Sequence, residues 1–226
     1  MTPLFLMNEY SHCFPFCFPA KEEVFVSENR TDALRFVRRA CPISTRKEHI
    51  FMAEQQVSPL ITFYKQGWDN HQQAVVRTVA SLSPEQLALP IAPHQRSIGD
   101  LLDHMIGARC NWFYFWMGEG DPDLDWDDGQ DGDGPIVYTA TSLVAMFEKS
   151  WRVISSALDR WTSADLDQLF PAPESHQAWL RSKGLEEESA HTRQWIIWHV
   201  LEHEIHHGGE LSLALGVHGL EGFYTW

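Results

Sequence analysis

Residues 195–215 read WIIWHVLEHEIHHGGELSLAL, and this run decides how the chain folds. Apolar residues recur every three or four positions without a proline, which predicts a helix from about Thr192 to Leu215, with Gly216 as its C-cap. His199, His203 and His207 are spaced by four. At about 100° per residue they fall about 40° apart, in one sector of the wheel. Trp195, Ile196, Val200, Leu211 and Ala214 share that side, and His206 borders it. The imidazoles are therefore expected on the apolar face. Two histidines four apart can aim ring nitrogens at one point. Burying several of them with nothing to bind is costly, so the pattern predicts a divalent metal site. His203 belongs to both possible pairs. Its partner is His199 or His207, and the remaining histidine, or Glu210, would steady a ligand ring.

A site inside a helical core needs a further ligand from a facing helix. Working backwards, His104 supplies it. Residues 97–117 carry Leu101, His104, Met105, Ala108 and Trp112 on one stripe, and Ser97 with Asp100 has capping-box spacing. A further helix is read over 58–82 (Leu60, Tyr64, Trp68, His71, Val75, Val79, Leu82), and another over about 141–161 (Val144, Phe147, Trp151, Ile154, Leu158). Short helical turns are expected after Ser83 and after Ser163. No segment shows strand alternation. The fold class is all-α, a four-helix bundle with long connections.

The composition narrows the partners. The chain has 226 residues and a net charge of −14. No basic stripe is present, so nucleic acid and anionic membrane surfaces are not expected partners. No apolar run approaches the roughly 20 residues of a membrane span, and no signal peptide is recognisable, so a cytoplasmic location is expected. The first 51 residues differ from the rest. They hold seven Lys/Arg and six Asp/Glu, against ten and twenty-five beyond them, and none of the ten tryptophans. We read 1–51 as a poorly ordered N-terminal extension and 52–226 as the metal-binding bundle. Four cysteines (Cys13, Cys17, Cys41, Cys110) are too few for a disulfide framework in a chain of this length. Asp121, Asp123, Asp125 and Asp127 alternate, but not in a calcium-loop register.

Residues 203–207, HEIHH, formally satisfy the H-E-x-x-H pattern of zinc proteases. We set that reading aside. Glu210 and Leu213 stand where a metzincin needs Gly and His, only 19 residues follow His207, and Glu204 points away from the histidine sector. Three stretches, LSPEQL at 82–87, SIGDLLDHMIGARCNW at 97–112 and HVLEHEIHHGGELSLAL at 199–215, are instead similar to the DinB/YfiT-like family of metalloenzymes. The resemblance covers about residues 55–226. It implies an up-down-down-up bundle, often dimeric, with His104, His203 and His207 binding zinc, nickel or another divalent ion. Characterised relatives use a low-molecular-weight thiol, as S-transferases or as an isomerase. Three positions depart from the family pattern: Gly208 stands for the usual Arg, Glu210 for the usual Gln, and Arg96 for an aromatic before the second-helix cap.

The resulting expectation is a metal-dependent enzyme acting on a small-molecule substrate. An open metal position would hold a thiol, and Glu210 would either accept its proton or hydrogen-bond a ligand ring. Trp112 and Trp195 are expected to lower the local dielectric. A non-catalytic metal-sequestering or stress-response protein is the alternative, with His71, His199 or Glu210 closing the coordination. The last helix is also apolar on its reverse side (Ile197, Leu201, Ile205, Leu215), which leads us to expect a homodimer unless another helix covers that face.

Overall fold

The computed structural model describes residues 58–120 and 137–223. The expected extension over 1–51, with three of the four cysteines, and the alternating aspartates from Asp121 lie outside these residues. Among these residues six α-helices follow one another: α1 (Pro59–Ala80), α2 (Pro84–Leu87), α3 (Ile98–Arg109), α4 (Ala140–Arg160), α5 (Glu174–Ser182) and α6 (Arg193–Val217). The expected all-α class is observed. The expectation of no strand needs a small correction, because Leu169–Phe170 (β1) pairs antiparallel with His191–Thr192 (β2). A ladder of two residues is too short to leave an alternating pattern.

The caps explain the helix starts. Ser97 Oγ accepts from the Asp100 amide at 3.1 Å, and the Asp100 carboxylate accepts from the Ser97 amide at 3.1 Å, as the spacing predicted. Ser83 and Gln86 build the same box at α2, and Thr192 caps α6 by accepting from Trp195 N. α6 runs past Gly216, and His218 is its C-cap. α3 does not stop at Arg109. It continues as a π-helical stretch, Cys110–Trp116, whose wider turn re-aims a run of aromatic rings.

The four long helices close a ring of contacts: α1 on α4, α4 on α3, α3 on α6, and α6 on α1. Two apolar clusters fill it. One gathers Val75, Ile98, Leu102, Phe147 and Leu211, and the other Trp68, Phe113, Ile154, Leu158 and Ile196. Between them lies a buried polar stratum with a member from every long helix: His71 and Gln72 from α1, Arg109 from α3, Ser150 from α4 and Glu204 from α6. The reverse side of α6 is covered within one chain. Ile197, Leu201, Gly208 and Leu215 are buried there, and only Ile205 of that set is exposed. That face therefore gives no reason for a dimer. No helix among the described residues is long and apolar enough to cross a membrane.

Candidate metal centre

His104 projects from the middle of α3, and His203 and His207 from successive turns of α6. α3 packs directly on α6, so the three side chains meet. His203 Nε2 and His104 Nε2 face each other at 3.0 Å. Ring centroids lie 4.8 Å apart for His104–His203, 4.9 Å for His104–His207 and 4.3 Å for His203–His207. One nitrogen from each ring falls within 4.8 Å of the others. Nitrogens bound tetrahedrally at about 2.0–2.1 Å stand about 3.3 Å apart, so the donor set fits a divalent ion with little movement.

The electrostatics fit as well. Burial, then the charges of His207 and Arg96, push His104 down to about 4, against a small upward pull from Glu210. Burial and the neighbouring imidazoles push His203 down to about 2, and burial also lowers His207. The rings are thus neutral at pH 7, the state a metal ligand requires. Glu210 Oε2 lies 2.7 Å from His207 Nδ1. With the carboxylate accepting there, the proton of His207 is held on Nδ1 and its Nε2 lone pair is left for the centre. Of the two roles expected for Glu210, this contact is the ring-steadying one. Glu210 Oε1 also lies 3.3 Å from His206 Nε2.

Three other histidines are sorted by the structure. His206 was expected near the apolar face, but it is exposed, on the strip of α6 that also shows Trp198, Glu202, Ile205 and Leu213 to solvent. His199 and His71 do not join the three-imidazole group, and among the described residues no fourth donor does. His199 instead stacks on Trp195, with centroids 4.7 Å apart and planes at 11°, and Trp195 stacks on His191 at 3.7 Å. Trp112, turned by the π-helical stretch, packs edge-on against His191, Trp195 and His199. This aromatic wall reaches the centre only through His199, whose ring lies 6.4 Å from that of His203.

Glu204 decides the protease question. It is fully buried, and Arg109 grips it with Nε on Oε1 and with Nη2 on Oε2 at 2.7 Å, while Trp68 Nε1 donates to Oε2 at 2.9 Å. Arg109 Nη1 also donates to Phe147 O at 3.1 Å and Ser150 Oγ at 3.2 Å. A carboxylate so held cannot serve as the general base that H-E-x-x-H demands. Sequence reading missed this network. Its trace was present, since Arg109 follows Leu101, Leu102, Met105 and Ile106 on the buried face of α3, and Glu204 follows Val200 and Leu201 on that of α6. Cys110 is buried, its thiol pushed up to about 12 by desolvation, so it is no nucleophile.

A solved DinB-like protein from Bacillus cereus ATCC 10987 shares the fold, with a TM-score of 0.53 and 18% identity, covering 74% of this chain and 97% of that one. A conserved protein from Enterococcus faecalis aligns with a TM-score of 0.49 and 15% identity, over 70% of this chain and 98% of that one. No curated protein sequence matches the chain. The profile of the mycothiol-S-transferases matches residues 65–214, a span that holds all three imidazoles and well over half of the 226 residues. The chain belongs to the mycothiol-S-transferase family.

Proposed function

We propose that this protein is a metal-dependent thiol S-transferase. His104, His203 and His207 hold a divalent ion, zinc or nickel, and a low-molecular-weight thiol is the sulfur donor. The observation that carries this reading is a convergent donor set of three neutral imidazoles that no fourth protein donor among the described residues closes.

When bound, the ion supplies a Lewis acid that favours the thiolate form of the donor thiol. The chain's own residues do the rest. His203 and His207, one turn apart on a rigid helix, and His104 from the facing helix fix the position of the reacting sulfur. Glu210 keeps the His207 proton on Nδ1 and raises the basicity of the ring. Trp112 and Trp195 pack on His199, which carries their aromatic surface to within 6.4 Å of the His203 ring. Cys110, the one thiol among the described residues, is excluded by burial, and in this reading the nucleophile is a thiol from solution. Overall, the sulfur of the donor thiol forms a bond to the acceptor carbon, the carbon–leaving-group bond breaks, and the thiol proton leaves with the departing group.

Cobalt tests the reading. In the cobalt-loaded protein a small thiol should raise a sulfur-to-cobalt charge-transfer band, and a variant lacking His203 should show neither metal nor band. A cobalt spectrum indifferent to every thiol and anion tried would replace this reading with that of a closed, non-catalytic metal-binding protein.

A further inference from the structure

Three donors stand together on the solvent side of α6, next to the centre. His206, His207 and Glu210 each offer one ligand atom, and these atoms lie within 4.8 Å of one another. Glu210 divides its two oxygens between the rings. Oε2 lies 2.7 Å from His207 Nδ1, and Oε1 lies 3.3 Å from His206 Nε2. The His206 side chain is 61% exposed against 12% for His207, so the first contact faces inward and the second faces water. His206 makes no other ion pair or hydrogen bond among the described residues.

The two contacts differ chemically. The inner one is a hydrogen bond, and Oε2 is spent on the His207 proton. The outer one has the separation of two donors held on one divalent ion at about 2.0–2.1 Å from each. His206 and Glu210 are also one turn apart, the spacing at which a single helix face chelates a cation. Unlike the three inner imidazoles, this pair brings a negative charge of its own, and water is at hand for the remaining positions.

We propose that His206 and Glu210 form a second, outer site for a divalent transition-metal ion, and that Glu210 couples it to the three-imidazole centre. His206 Nε2 and Glu210 Oε1 are its protein ligands, while Oε2 stays on His207. With two protein donors against three, the outer ion is held more weakly than the inner one and is lost on desalting. It draws charge from Glu210, which becomes a poorer acceptor for His207, and the two ions repel each other. Excess metal therefore loosens the inner ion. The outer site needs no sulfur chemistry and goes beyond the S-transferase reading; only the coupling rests on an inner ion at His104, His203 and His207.

Equilibrium dialysis of the full chain against cobalt tests the proposal, with His206→Gln as the comparison. Wild type should take up one cobalt equivalent more than His206→Gln, and both should keep the tight inner equivalent after desalting. The visible bands of the inner cobalt should shift in wild type as the outer equivalent fills, and stay fixed in His206→Gln. Cobalt held elsewhere on the chain is common to both proteins and cancels in the difference. His206→Cys reports ligation directly: a sulfur-to-cobalt charge-transfer band absent from wild type should grow with the outer equivalent. Equal uptake by wild type and His206→Gln, or no new band in His206→Cys, would overturn the outer site. Loss of the tight equivalent in His206→Gln would do the same, by making His206 part of the inner centre. Inner bands that ignore the outer equivalent would overturn the coupling. Failure of the inner centre reads separately: in His203→Ala, kept in dialysis against cobalt, the outer equivalent should remain although the tight one is gone.

Discussion

The three imidazoles differ in what each one's loss should do. His203 is the most deeply desolvated of the three and faces His104 at 3.0 Å, so His203→Ala should abolish stoichiometric metal by elemental analysis, and His104→Ala should weaken binding by orders of magnitude. Glu210→Gln keeps the shape but not the charge behind His207, and metal affinity should fall about 10–100-fold in a chelator competition. The same three rings make the metal-free protein sensitive to acid. His104 and His203 titrate at about 4 and about 2 in the folded chain, against an ordinary value of 6.5. Below about pH 6.5 the unfolded chain takes up protons that the folded chain refuses, so their contribution to stability is present above that pH and is lost as it falls through about 4 for His104 and on to about 2 for His203. Denaturant midpoints of the metal-free protein should drop over that window, and His104→Gln should flatten the drop.

Among the elements, α6 does two jobs at one level of the bundle. His203 and His207 face the centre, while Glu204 and Gly208 face inward to the polar stratum. Helical geometry makes this possible, since neighbours in sequence stand about 100° apart. Arg109→Met would strand the Glu204 carboxylate in the core and should cost about 3–5 kcal/mol in chemical denaturation, whereas pairing it with Glu204→Leu should recover most of the loss. Gly208 is small for a packing reason. A Cβ there would stand 2.8 Å from the ring of the buried His71, and Phe223 closes the other side at 3.5 Å. Gly208→Ala should therefore destabilise by about 1–3 kcal/mol and disturb the adjacent His207, read as a lower thermal midpoint together with weaker metal binding. The arginine usual at this position in DinB/YfiT-like proteins would not fit beside His71.

At the scale of the whole molecule, the candidate centre, the polar stratum and both apolar clusters lie among residues 58–223. A chain beginning at Met52 should accordingly fold and bind metal with the stoichiometry and thermal midpoint of the full chain. A large fall in midpoint on truncation would show that residues 1–51 contribute to the fold. The ring of four long helices also explains why a helix apolar nearly all round does not call for a second copy. α1 and α3 both pack on α6, leaving one strip with Trp198, Ile205 and Leu213 exposed.

The sequence by itself determined the four long helices, the start at Ser83, the capping box at Ser97 and the candidacy of His104, His203 and His207, because each is a local property, a spacing along one helix or a pair of residues three apart, whereas α5 left no such pattern. Two results needed the fold. Nothing in the spacing distinguishes His199–His203 from His203–His207. The choice between them depends on where α3 crosses α6, and that crossing sets His104 beside the later pair and leaves His199 to stack on Trp195. The roles of Arg109 and Glu204 were likewise decided by tertiary packing. A charge at a core position reads as an anomaly in sequence, and only partners distant along the chain show how it is neutralised, as Glu204 is by Arg109.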